Sequence, residues 1–120
     1  MNIIIFQSLA WKFYTKVDGT EIINLPSEYN ELYIYIMLGN GSNGYVEFSP
    51  KRTMLMDDGA IFHAGKVSFG SNGRRYNRSA TITVSKTTAC LNEAMYSQGA
   101  SYNEPDTNIT NNARMFVLYR

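Results

Sequence analysis

The stretch that most constrains this chain is 32–38, LYIYIML, where Leu32, Ile34, Ile36 and Leu38 alternate with Tyr33, Tyr35 and Met37. A period of two sends successive side chains to opposite faces of a β-strand. The aliphatic face belongs in a core. The other face is aromatic and thioether rather than charged, so it either packs beneath a second sheet or is covered by a partner.

The same period recurs along the chain. Trp11, Phe13, Thr15 and Val17 alternate with Lys12, Tyr14 and Lys16, a half-buried strand that ends in the tight turn Asp18-Gly19, after which TEIINL returns as a short strand. GNGSNG at 39–44 is a strong turn signal, because glycine and asparagine tolerate positive φ. YVEFS follows as a strand ended by Pro50, and Asp57-Asp58-Gly59 makes another turn. AIFHAGKVSFG reads as one or two strands with a bend near Gly65, SNGRRYNRS (71–79) as a polar loop or hairpin tip, and ATITVS as an alternating strand. SYNEPDTNITNN is a long polar connection, and ARMFVLYR closes the chain as a strand. The stretch 87–99 leaves two readings open. It is a short helix near 88–98, capped by Thr88, facing inward with Leu91, Ala94 and Met95 and ended by Gly99, or an irregular strand. About eight short strands separated by turn signals define one domain over 1–120, an all-β antiparallel β-sandwich, jelly-roll-like.

Composition narrows the chemistry. A net charge of +1 supplies no field for nucleic acid or an anionic membrane. The start, MNIIIFQSLAW, lacks a basic leader and its apolar run is broken by Gln7 and Ser8, so a first strand is expected rather than an export signal or membrane span. Cys90 is the single cysteine, which rules out an internal disulfide, and it reads as a core filler. His63, the single histidine, lies in an apolar run and reads as a structural residue. One histidine and one cysteine do not furnish a standard zinc site, no carboxylate pair stands out, and the glycine stretches lack the phosphate-cradling patterns. No enzyme, metal or cofactor is expected. Asn108-Ile109-Thr110 has the glycosylation pattern but reads as an ordinary loop triplet. The remaining polar cluster, Arg74, Arg75, Tyr76 and Arg78, is a candidate ligand-binding loop, its guanidinium forks and ring suited to a phosphate-bearing glycan or an acidic partner.

Three stretches taken in order, WKFYTKVDGT, INLPSEYNELYIYI and TNITNNARMFVLYR, resemble a module found at the C-terminal ends of tail-fibre and baseplate-type proteins of phages and prophages of Gram-positive gut bacteria. Trp11, Gly19, Leu25, Pro26, Asn30, Glu31, Leu32, Tyr119 and Arg120 carry the likeness. The resemblance implies a virion structural protein assembled in the host cytoplasm. Its expected partners are copies of itself, with a homotrimer favoured, other virion proteins and a host cell-surface saccharide. It also gives the tyrosine face a role, since symmetric copies bury matching patches: Tyr33, Tyr35 and Met37 become a candidate subunit interface. The alternatives are a capsid decoration or head-fibre protein, or a stand-alone carbohydrate-binding, lectin-like domain.

Overall fold

The alternation at 32–38 becomes β3 (Leu32–Leu38), with every aliphatic side chain fully buried and Tyr33, Tyr35 and Met37 on the opposite side. The computed structural model describes residues 10–39, 44–69, 75–99 and 107–120. The other strands are β1 (Lys12–Asp18), β2 (Ile23–Asn24), β4 (Tyr45–Phe48), β5 (Ala60–Phe69), β6 (Arg75–Val84), β7 (Thr88–Gly99), β8 (Thr107–Asn108) and β9 (Ala113–Tyr119). The first sheet runs β1-β9-β3-β4 and the second β2-β7-β6-β5, with β8 added to β7, and every pairing is antiparallel. β1 and β2 come from one end of the chain and lie in opposite sheets beside β9 and β7, so the chain wraps the sandwich in jelly-roll fashion while β3–β4 and β5–β6–β7 pair consecutively.

The core lies between the sheets. Leu32, Ile34, Ile36, Leu38, Val46, Phe48, Met115 and Val117 come from the first sheet, and Ile82, Val84, Ala89, Leu91 and Ala94 from the second. Each large side chain so buried contributes about 1.5–3 kcal/mol relative to an exposed one. The 25–31 connection joins this core through Leu25 and Tyr29, and the Tyr29 hydroxyl donates to the Lys86 carbonyl at 2.6 Å. Asp18-Gly19 and Asp58-Gly59 form the expected turns, both glycines having positive φ (69° and 87°).

Two expectations are corrected and two open readings are decided. Trp11 and Phe13 do not share a face with Val17, because the β1–β9 register shifts between Phe13 and Thr15; Val17 points into the core while Trp11 and Phe13 are exposed. The 87–99 stretch is strand, β7, not helix. β5 is one continuous strand through Gly65. Residues 75–79 are not a loop but the first half of β6, fully paired with β5 and β7. The expected strand within 1–9 and the turn residues 40–43 lie outside the described residues.

Asn108-Ile109-Thr110 is a structural knot. The Asn108 side-chain oxygen accepts from the Thr110 N–H and hydroxyl (3.0 and 2.6 Å), and the Thr110 hydroxyl oxygen accepts the Ala94 N–H at 3.0 Å.

Candidate interaction face

Directly opposed residues of an antiparallel pair share a face. Tyr33 stands opposite Leu118, Tyr35 opposite Phe116 on one side and Glu47 on the other, and Met37 opposite Arg114 and Tyr45. Phe13 reaches the same face from β1, opposite Leu118. The face is therefore the outside of the first sheet, not a surface beneath the second. Its rings form a connected series: Trp11 to Tyr33 at 5.8 Å between centroids, Tyr33 to Tyr35 at 5.8 Å, Tyr35 to Tyr45 at 6.1 Å. Tyr35 and Phe116 stack almost parallel, 4.6 Å apart at 4°. Tyr33, Tyr35, Met37, Gly44 and Tyr45 line a shallow groove of about 320 Å³.

Charges frame the rings, Arg114 and Arg120 among them standing in ion pairs. The Tyr33 hydroxyl donates to the Glu47 carboxylate at 2.5 Å, and shielding from water, then this hydrogen bond and the negative charge behind it, hold the phenol's pKa well above its ordinary value. Arg120 pairs with Glu31 at 2.5 Å and lies over the Trp11 ring at 4.3 Å from its centroid. Arg114 pairs with Asp18 at 3.4 Å, and the Lys66 ammonium sits 5.2 Å from the Tyr45 ring centre. The result is a mostly apolar surface whose rings are held side by side. Trp11 is overlaid by a guanidinium, Tyr45 by an ammonium and Tyr35 by Phe116, so these rings are not presented as the open, flat platforms on which a sugar stacks. Side-by-side rings with apolar edges and neutralised borders suit burial against another protein surface.

The candidate ligand loop fares differently. Arg74 lies outside the described residues. Arg75, Tyr76 and Arg78 sit on β6, and the strand's alternation divides them: Tyr76 and Arg78 share the core-side face with Ala80, and Arg75 points to the other. Arg78 donates to the Ser68 hydroxyl at 2.9 Å and is half-buried. Gly44 passes so close above it that a Cβ there would lie 2.5 Å from the Arg78 Nε. Arg78 thus supports the end of the β3–β4 hairpin rather than a single ligand-facing cluster.

His63 is exposed on the outer face of the second sheet, opposite Thr81, and is not enclosed in an apolar environment. Cys90 is half-buried on that same side, opposite Thr83, with its thiol 3.5 Å from the Asn92 side-chain oxygen; it fills no core position and lies on a different rung from His63. The residues missed in the sequence are Trp11, Phe13, Tyr45, Phe116 and Leu118. A signal exists for two of them. In ARMFVLY both alternating sets are largely apolar, as in LYIYIML, which marks two neighbouring strands with the same kind of second face.

Comparison with family models, with curated proteins and with solved structures gives no match. The class defined by fold and face is an all-β sandwich with an aromatic outer face on its first sheet.

Proposed function

We propose that this chain is a non-enzymatic structural module of a phage appendage, of tail-fibre or baseplate type, that works by contact as a homotrimer. Three copies turn the outer faces of their first sheets toward a common axis, burying the Trp11–Tyr33–Tyr35–Phe116 series against its symmetry mates. The virion assignment rests on the sequence resemblance. The observation that carries the contact reading is the aromatic face itself: a connected set of rings outside the core, with two of its bordering charges, Arg114 and Arg120, already in ion pairs. A lectin-like role draws less support from this face, because its rings are packed against one another or overlaid by cations.

The test is native mass spectrometry of the purified protein with two variants. The wild type is expected to have a mass that is a multiple of three 13.6 kDa copies. Tyr35→Lys places an ammonium at the centre of the face, and Phe13→Lys places one at a position already 62% exposed, where folding is little affected. Both variants should lose the three-copy unit while keeping the wild-type circular dichroism spectrum. A wild type with no three-copy unit at micromolar concentration, or variants that keep it, would overturn the reading.

A further inference from the structure

A strand edge is a row of unpaired N–H and C=O groups, and proteins blunt such edges with short strands, bulges and lysines. Among the described residues, four edge strands follow that rule. β2 and β8 have two residues each, β4 has four, and β1 carries a bulge between Phe13 and Thr15 together with Lys12 and Lys16. β5 does not. It is 10 residues long, pairs with β6 rung for rung without a shift, and among the described residues no strand pairs with its other edge. Its outward face carries Ile61, Val67 and Phe69, which are 62%, 57% and 71% exposed, and its one charge is Lys66.

We propose that β5 is a second self-association site, where two copies pair antiparallel edge to edge across a two-fold axis through Gly65. A strand edge is completed by another strand, and the antiparallel register centred on Gly65 suits this sequence well. It sets Ile61 against Phe69 and His63 against Val67 of the other copy, so the two apolar stripes become one. It sets Lys66 against Ala64, so no like charges meet. Gly65 itself fits the axis. Its φ lies outside the left-handed region, and an added Cβ would meet only the Arg78 carbonyl oxygen, at an ordinary 3.5 Å. Nothing among the described residues requires glycine at this position, whereas a glycine inside a strand often marks the close approach of another backbone.

This pairing is independent of the aromatic face, and where its two-fold axis crosses the axis of the unit that face produces at right angles, the two contacts close into a dimer of that unit. The decisive experiment uses charge at the axis. Gly65→Lys puts two ammonium groups directly opposite each other, and Gly65→Glu two carboxylates, while in a single copy the added Cβ makes only an ordinary contact with the Arg78 carbonyl oxygen. Each variant alone should halve the native mass relative to wild type, with unchanged circular dichroism and the melting temperature of wild type diluted until the pairing dissociates. An equimolar mixture should recover the full mass in mixed assemblies, because lysine then meets glutamate. If either variant keeps the wild-type mass, or if the mixture stays at half, the pairing is wrong. If the aromatic-face reading fails instead, the wild type is a plain dimer and the same variants reduce it to monomers, so the two failures are told apart. Hydrogen exchange gives a second readout that needs no variant. Amides of β5 should gain protection as wild-type concentration rises, and concentration-independent exchange along 60–69 would also overturn the proposal.

Discussion

Tyr29 and Tyr33 are both shielded phenols with raised pKa values, but their hydroxyls serve different ends. The Tyr29 side chain is buried, its hydroxyl is bonded to the Lys86 carbonyl and its ring is overlaid by Arg52; burial raises its pKa against the opposing pull of that guanidinium. Tyr29→Phe leaves a carbonyl without its donor and should cost about 1–2 kcal/mol in urea denaturation. Tyr33 bonds to an exposed carboxylate, so Tyr33→Phe should cost less, no more than about 1 kcal/mol. The pH dependence follows from the direction of both shifts. A folded-state pKa above the unfolded one means that the native protein holds its proton where the unfolded chain has released it. The resulting stability is fully present below the ordinary tyrosine value of about 10 and is lost as pH rises from there through the raised folded value. Urea midpoints should therefore fall above about pH 10, and the double variant Tyr29→Phe with Tyr33→Phe should fall less steeply over that window. An identical slope in the double variant would show that other groups govern the alkaline loss.

At the scale of the element, β7 shows why part of the fold was legible and part was not. The strict alternation in 32–38 and 80–84 translates directly into buried and outward positions, because nothing interrupts those strands. In β7 the inward residues are Ala89, Leu91 and then Ala94: the β6–β7 register pairs Ile82 with Leu91 but Thr81 with Glu93, leaving Asn92 as an extra residue. A bulge turns a spacing of two into a spacing of three, and three is a helical spacing, so the sequence reads equally as helix. The Asn92 side chain, donating to the Thr83 hydroxyl at 2.7 Å, holds the bulge in place. The bulge in β1 likewise hides from the sequence that Trp11 and Phe13 join the aromatic face. Deleting Asn92 should thus be tolerated: Leu91 and Ala94 keep facing the core, and the loss is about one hydrogen bond, roughly 1 kcal/mol. Deleting Cys90 instead slips Thr88 and Ala89 by one residue and exchanges their faces, which should lower the melting temperature far more. Comparable melting points for the two deletions would remove this account of the bulge.

Across the whole molecule, strand order was the least legible property, because it depends on contacts between distant parts of the chain. β1 pairs with β9 across most of the sequence, and no local pattern announces that Lys12 will lie opposite Tyr119. The long dimension has a similar origin. The protein extends 63 × 30 × 23 Å, whereas a seven-residue strand such as β3 or β9 spans only about 23 Å. The extra length fits the 10, 10 and 12 residues of β5, β6 and β7, which run on after the first sheet has ended. On the core-side face of β6 the buried residues are Val84, Ile82 and Ala80, followed by half-buried Arg78 and Tyr76. The far half of this three-stranded ribbon therefore keeps its backbone hydrogen bonds but has little apolar burial to protect them. Such a segment opens locally at lower free energy than global unfolding requires. In dilute solution, amides of 66–69 and 75–78 should exchange through an opening with little denaturant dependence, while those of Ile82, Leu91 and Val117 should exchange only with the steep dependence of complete unfolding. If both groups exchanged with one shared steep dependence, the ribbon would belong to the same cooperative unit as the sandwich. If the far half is instead the weaker unit, pairing at β5 is the contact best placed to hold it, since it adds a fourth strand where the chain's own core supplies least.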